Sequence, residues 1–131
     1  MSEPRTHLRI DPSLVGEPVE LGEGRATARL VTTVPMAADA RGLVHGGFVF
    51  GLVDYAAMLA VNHPHVVLGT ADVRFTAPVK VGDEVLAHAE REDEKGWKHV
   101  LRVRACVGEV EVLRGTVTAF VLDAHVFDSG D

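Results

Sequence analysis

The stretch GLVHGGFVFGLVDYAAMLAVN, residues 42–62, constrains the fold more than any other part of the chain. Within residues 48–61, every residue except Gly51 and Asp54 is apolar or aromatic. A helix that is apolar on all sides has to lie inside a core, and this one is shorter than the roughly 20 residues that a membrane span needs. We therefore expect a buried central helix that carries one acid, Asp54, near its middle.

Alternating apolar and polar residues around this helix predict strands. The predicted strands cover residues 25–34, 67–76, 84–92, 97–107 and 110–122. Because consecutive strands joined by short turns pair antiparallel, we expect an α+β domain over residues 25–122, in which a curved antiparallel sheet of about five strands wraps the helix. Prolines interrupt residues 1–24, which predicts a loose arm, and residues 123–131 form a polar tail. Pairing with a second copy would protect the sheet edges, so we expect at least a dimer.

Composition argues against several classes of partner. The chain has a net charge of −6 and no basic block, whereas a nucleic acid or an anionic membrane requires a positive surface. Cys106 is the only cysteine, so no disulfide can form within the chain, and the first residues lack the apolar stretch of a secretory signal. We therefore expect a cytoplasmic protein that binds neither nucleic acid nor membrane.

The acid and the glycines of the helix suggest one active site. A carboxylate in an apolar helix is unfavourable unless it is paired, hydrogen-bonded or protonated. Gly46 and Gly47 stand at the predicted helix start, where free N–H groups favour a developing negative charge. We interpret Asp54 as a base or nucleophile and these N–H groups as an oxyanion site, with His45 orienting a carbonyl. The alternatives are an Asp54 that pairs with an arginine or caps a neighbouring chain, a simple loop-to-helix turn and a structural His45.

Several other polar residues are candidates for binding. Contacts to the phosphates and adenine of a nucleotide-like tail are expected from Lys80, Trp97, Lys98 and His99. The alternative is a set of solvated turn charges with Trp97 as a core or interface anchor. Thr70 and Arg74 share the polar face of the strand over residues 67–76, where Arg74 either faces a ligand or pairs with Asp72. We expect no metal site, because His63 and His65 lack a third ligand, and an inert thiol at Cys106.

His45-Gly46-Gly47, followed by Leu52 and by Asp54 eight residues after Gly46, resembles the HGG…LxD signature of hotdog-fold acyl-CoA thioesterases. The phenylacetyl-CoA thioesterase-like branch is the most similar subgroup. The later stretch ADVRFTAPVKVGDEV resembles the second and third strands of that superfamily, and the resemblance covers about residues 25–122.

This resemblance implies a hotdog fold, an acyl-CoA substrate and a homodimer or homotetramer with active sites between subunits. It implies no cofactor, since coenzyme A is part of the substrate. Asp54 would be the nucleophile or general base, and the Gly46 N–H of the facing subunit would polarise the thioester carbonyl with help from His45. The turn at Gly96 would line the CoA tunnel. Asp39 departs from the pattern, because many relatives carry Asn there to position water or substrate.

Two other functions share this fold. Residues 71–122 also resemble the effector domain of the malonyl-CoA-sensing repressor of lipid synthesis, which binds an acyl-CoA without hydrolysing it. In that domain an arginine at the position of Arg74 reads the acyl carboxylate, but such a binding module has no need of Asp54. A hotdog hydratase is the third reading, and it is disfavoured because the spacing from Asp39 to His45 is wrong and no Asn-Pro lies between them.

Overall fold

The computed structural model describes residues 2–128 as one antiparallel sheet wrapped around a central helix. The helices are α1 (Pro12–Val15) and α2 (Gly46–Val61), with a 3-10 turn at Val34–Met36. The strands are β1 (Glu17–Gly22), β2 (Arg25–Val31), β3 (Val66–Phe75), β4 (Glu84–Lys95), β5 (Lys98–Val107) and β6 (Val110–Val121). The sheet order is β1-β2-β4-β5-β6-β3, which confirms the predicted α+β hotdog architecture with six strands instead of about five.

The central helix α2 follows the sequence prediction closely. Leu52, Val53 and Leu59 are completely or almost completely buried against the inner face of the sheet. The helix ends at Val61 because Asn62 adopts the left-handed conformation of a C-cap, and its N–H bonds to the carbonyl of Met58 at 2.8 Å. Among residues 2–128, no helix is long and apolar enough to cross a bilayer.

The expectation of a loose arm over residues 1–24 does not hold for residues 2–24, which include α1 and β1. Pro12 begins α1, where a proline at the first helical turn costs no hydrogen bond. Pro18 lies in β1 at the edge of the sheet, where a missing N–H is tolerated. The residues before α1 are tied to the end of α2, because the Asn62 side chain donates to the Glu3 carbonyl at 2.9 Å and accepts from the Arg5 N–H at 2.7 Å.

The connections also differ from the simple meander that short turns suggest. β3 does not pair with the next strand, β4, but with β6, whereas β2 pairs with β4. Residues 76–83 therefore cross from one side of the sheet to the other, and β3 becomes an edge strand. This edge strand exposes Leu68 and Phe75, whose relative exposures are 38% and 55%. An apolar edge of this kind is available for pairing with another chain.

Candidate functional site

Asp54 lies on the one stripe of α2 that the sheet leaves partly uncovered. Gly47 is exposed, and Phe50, Gly51, Asp54 and Val61 are half-buried, while most other residues of the helix are buried. Within residues 2–128, Oδ1 of Asp54 is buried and has no hydrogen-bond partner. Burial raises the pKa of the Asp54 carboxyl above its ordinary value, and the charge of His7 acts in the opposite direction. One alternative from the sequence is an Asp54 paired with an arginine. Within residues 2–128, no arginine or lysine forms an ion pair with Asp54.

His7 is a neighbour of the site that the sequence did not reveal. Its backbone is in the left-handed region, with φ of 55°, and its ring lies 6.0 Å from the ring of Tyr55. Nδ1 of His7 and the hydroxyl of the buried Thr6 share a 2.8 Å hydrogen bond. No periodicity or motif marks residues 2–11, so only the tertiary structure could place this histidine beside the helix.

The start of α2 presents free backbone donors. Neither Gly46 nor Gly47 donates its N–H to another group within residues 2–128, as expected for the first turn of a helix. A side chain at Gly46 would meet Cε1 of Phe75 at 3.3 Å, and one at Gly47 would meet the His45 ring at 3.0 Å. The ring of His45 therefore lies over the helix start, beside the donors that it is predicted to assist.

One copy of the chain does not bring this helix start and Asp54 together. Eight residues separate Gly46 from Asp54, which corresponds to a rise of about 12 Å along the helix. A carbonyl oxygen bound to the Gly46 N–H is therefore out of reach of the Asp54 carboxylate on the same helix. The two predicted parts of the site can meet only if they come from different copies.

Asp39 shapes the loop before α2. Its Oδ1 accepts the N–H groups of Arg41 at 2.9 Å and Leu43 at 3.2 Å, a local turn that explains why an acid suits this exposed position. With Lys80, it lines an open depression of about 370 Å³ in this loop region. Asp39 therefore belongs to the helix-start end of the molecule, and within one chain it makes no contact with Asp54.

The two candidates on β3 lie on the outer face of the sheet. Thr70 is opposite Thr118 and Arg74 is opposite Arg114, and directly opposed residues share a face. The alternate residues of β6, such as Val117, are buried against the helix. Within one chain, Arg74 therefore points away from the side of the sheet that holds Asp54.

The β4–β5 hairpin carries the remaining candidates at the other end of the molecule. The Trp97 carbonyl accepts the N–H of Val121, and the next residue, Leu122, donates to the carbonyl of His65, which follows the end of α2. Trp97 is 62% exposed, so it is not the core anchor of the alternative interpretation. Of the other binding candidates on this hairpin, Gly96 and Lys98 are exposed and His99 is buried. Since α2 is about 24 Å long, these residues lie far from the helix start in the same chain.

His99 differs from the other hairpin candidates because its side chain faces inward. It is 7% exposed, and its Nδ1 is buried without a hydrogen-bond partner in the described part of the chain. Burial lowers the pKa of His99, while the nearby Glu94 opposes this shift. A neutral imidazole on the inner face is therefore the form that the fold favours at neutral pH.

The other titratable candidates have local roles. His63 Nδ1 accepts the N–H of His65 at 3.0 Å, which occupies that ring nitrogen. Cys106 is half-buried, and its sulfur lies 3.7 Å from a guanidinium nitrogen of Arg104. Across residues 2–128, no three His, Cys, Asp or Glu side chains come together as metal ligands would.

Comparison with known proteins points to one family. The model of the thioesterase superfamily matches residues 41–114. A methylthioribose-1-phosphate isomerase from Aquifex aeolicus is 50% identical over 120 residues, which are 91% of this chain and 26% of that protein. The transcription factor FapR from Caldanaerobacter subterraneus is 30% identical over 115 residues, which are 87% of this chain and 58% of FapR. The chain thus spans about a quarter of the first relative and little more than half of the second.

Proteins of similar length agree with this assignment. An uncharacterized acyl-CoA thioester hydrolase from Zymomonas mobilis is 31% identical over 106 residues, 71% of this chain and 69% of that protein. The crystal structure of an uncharacterized protein from Pyrococcus horikoshii is 50% identical, with a TM-score of 0.95 and coverage of 97% and 98% of the two chains. The Escherichia coli PaaI protein has the same fold at 21% identity, with a TM-score of 0.77 and coverage of 86% and 83%. The chain therefore belongs to the thioesterase superfamily, as its HGG…LxD resemblance predicts.

Proposed function

We propose that this protein is an acyl-CoA thioesterase that hydrolyses a thioester to a free acid and coenzyme A. The observation that carries the proposal is the carboxylate of Asp54, which has a buried oxygen without a partner on the one uncovered stripe of an apolar helix. Burial of such a group costs stability, so its presence needs another reason, and perturbed carboxyl groups gather at functional sites. A carboxyl with a raised pKa and free N–H donors, brought together by two copies, would suit attack on a carbonyl carbon.

The proposed site is built by two copies of the chain. β3 is an edge strand of ten residues that pairs with β6 on one side and with no strand of residues 2–128 on the other. Antiparallel pairing of two copies of β3 would join the sheets across a twofold axis. In this arrangement the two α2 helices would lie antiparallel, so that the Gly46 N–H of one copy can face Asp54 of the other. A homodimer would hold two such sites, and a homotetramer four.

The reaction follows from these two groups. The Gly46 N–H donates to the thioester oxygen as negative charge develops there. In the first route, Asp54 removes a proton from water, whose oxygen attacks the carbonyl carbon; the carbon–sulfur bond then breaks, and the leaving thiolate takes the proton held by Asp54. In the second route, Asp54 attacks directly, CoA leaves as the thiolate, and water then hydrolyses the mixed anhydride. Both routes release one acid and one thiol for each water consumed, and both require the ionised carboxylate.

The test is thiol release from a panel of acyl-CoA substrates by the wild-type protein and by Asp54→Asn. We expect Asp54→Asn to lower turnover about 10²- to 10⁴-fold, the contribution of a positioned acid or base, while acyl-CoA binding stays within a few-fold of wild type. Glu23→Gln, which removes an exposed carboxylate from the turn between β1 and β2, is the control and should retain full turnover. Wild-type rates in Asp54→Asn would refute the assignment.

A second candidate is an acyl-CoA-binding module that does not hydrolyse its ligand. The 30% identity to a transcription factor, FapR, favours this function. It predicts that wild-type protein binds an acyl-CoA tightly and releases no thiol from any member of the panel. The same two measurements therefore separate the candidates, because binding is common to both and thiol release belongs to one.

A further inference from the structure

Three arginines stand side by side on the outer face of the sheet. Arg104 on β5 is directly opposite Arg114 on β6, and Arg114 is directly opposite Arg74 on β3. Neighbouring strands are about 4.8 Å apart, so the roots of the three side chains span about 10 Å. We call these three residues the arginine row. On the other side of Arg104 the row meets His88, which shares a 3.0 Å hydrogen bond with Thr27.

The chain does little to neutralise the arginine row. Like charges directly opposite each other destabilise a sheet. Arg114 pairs with Glu111 at 3.5 Å, but the Arg114 side chain is 62% exposed, so water and salt screen this pair. Among residues 2–128, Arg104 hydrogen-bonds to the sulfur of Cys106 and forms no ion pair, and Arg74 forms no ion pair either. The chain has 19 acids and only 13 lysines and arginines. Three adjacent arginines with one exposed ion pair among them therefore do not serve the stability of the sheet.

The arginine row lines an open depression of about 450 Å³. That volume lies in the range of small-molecule sites. The fourth arginine of the depression, Arg102, is held by Glu92 at 3.0 Å. Guanidinium groups bind phosphate oxygens through two parallel N–H donors, which makes arginine the preferred residue for phosphate recognition.

Acids beside the arginine row indicate the size of the ligand. Asp72 and Glu111 line the same depression, and Glu90 lies opposite Arg102 on the adjoining strand. A nucleic acid strand that extended along the sheet beyond the row would be repelled by these carboxylates and by the net charge of −6 on the chain. A compact group of two or three phosphates can contact the row over its length of about 10 Å, where the four arginines of the depression outnumber its two acids, Asp72 and Glu111.

We propose that the arginine row binds the di- or triphosphate group of a small molecule, supplied either by a free nucleotide or by the nucleotide end of coenzyme A. The site is on the outer face of the sheet, whereas α2 and Asp54 are on the inner face. Binding of a free nucleotide at the row is therefore separate from hydrolysis at Asp54, whereas the coenzyme A source rests on the proposed function. Removal of positive charge from the row should also leave the fold intact, because opposed like charges are relieved.

The experiment is calorimetric titration of the full chain with tripolyphosphate, ATP and coenzyme A, each at low salt. The test variant is Arg104→Gln/Arg114→Gln. Its matched control is Arg5→Gln/Arg9→Gln, which makes the same change in net charge at exposed arginines of the N-terminal segment. We expect the row variant to weaken binding at least about tenfold, since two charge-assisted contacts are lost, and the control to stay within about twofold of wild type.

The three probes identify the source of the phosphates. Row-dependent binding of ATP and tripolyphosphate supports a free nucleotide, and row-dependent binding of coenzyme A alone supports the CoA end. Absence of row-dependent binding for all three probes overturns the proposal, as does equal weakening by the row and control variants. Neither result bears on thiol release by wild type and Asp54→Asn, so failure of this site and failure of the proposed hydrolysis are distinguishable.

Discussion

A mixture of two inactive variants should recover activity if each site takes one group from each copy. Asp54→Asn removes the carboxylate, and Gly46→Pro removes the N–H donor. The second substitution suits the structure, because Gly46 is the first residue of α2 and its N–H bonds to no group in residues 2–128, so proline costs no hydrogen bond there. His45, with φ of −62° and ψ of 128°, already has the extended conformation that the residue before a proline adopts.

The expected recovery follows from the geometry. Loss of one oxyanion donor costs about 3 kcal/mol, a factor of 10² to 10³ in rate, and loss of the carboxylate costs about 10²- to 10⁴-fold. Each variant alone should therefore retain at most about 1% of wild-type turnover. After equal mixing and exchange, half of the dimers are mixed, and each mixed dimer holds one intact site and one site with both defects. Turnover should then rise to about a quarter of wild type.

The assay is thiol release before and after exchange, with mixed dimers counted by native mass spectrometry of differently tagged chains. Gly46→Ala is the steric control, because it keeps the N–H and adds only the methyl group that Phe75 would meet at 3.3 Å. A mixture of two tagged Asp54→Asn preparations should show no recovery. If mixed dimers form and turnover stays near 1%, the two groups do not share a site and the reasoning is refuted.

Two further predictions concern the acids. The folded-state pKa of Asp54 lies above 3.8, so this carboxyl favours the folded state at low pH, and that contribution is lost as the pH rises through the folded pKa. Asp54→Asn cannot ionise and should be more stable than wild type at neutral pH by about 1 kcal/mol, and this gain should shrink as the pH falls. Urea unfolding at equal protein concentration measures the difference in the free energy of unfolding, and a difference that does not change with pH would contradict the prediction. Asp39→Asn keeps an oxygen for the N–H groups of Arg41 and Leu43 and should leave both stability and turnover nearly unchanged, whereas Asp39→Ala should cost about 1 kcal/mol. A complete loss of turnover in Asp39→Asn would instead make that carboxylate part of the chemistry.

The sequence predicts the central helix and most strands because their signals are local. An unbroken apolar run fixes α2, and alternation fixes the inward faces of β4 and β5, where Ala87, Val103 and Ala105 are buried as expected. The observed strand limits differ from the predicted ones mainly at the β4–β5 hairpin. There the pairing continues to Lys95 through a bulge, although the polar composition of these residues predicts a loop.

The rest of the fold depends on contacts that no local pattern encodes. β1 has little apolar character, and it becomes a strand because its backbone pairs with β2 at the sheet edge. The crossover over residues 76–83 is short and contains proline and glycine, as a turn between paired strands would, so the sequence does not reveal that β3 lies beside β6. Tertiary context overrides propensity in both cases.

The candidate site divides in the same way. The sequence predicts the helix start and Asp54 as site candidates because glycines and a charge inside an apolar run are local anomalies, and anomalies of this kind gather at functional sites. The sequence does not predict the positions of His7 and the arginine row, since the first depends on packing of the N-terminal segment and the second on strand register. Arg74 is predicted to be a ligand residue, but only the sheet order identifies its partners on neighbouring strands.

Gly51 offers an independent reason to regard Asp54 as functional. A glycine inside a helix costs about 1 kcal/mol relative to alanine, so its presence needs an explanation. Packing within this chain does not give one, because a methyl group at this position would meet only Cγ1 of Val15, at an ordinary 3.8 Å. What the glycine does leave is space beside Asp54, one helical turn away and on the same uncovered stripe. A helix selected for stability alone would fill that space with alanine and replace the acid, whereas a helix that must admit a ligand to the acid would keep both residues as they are.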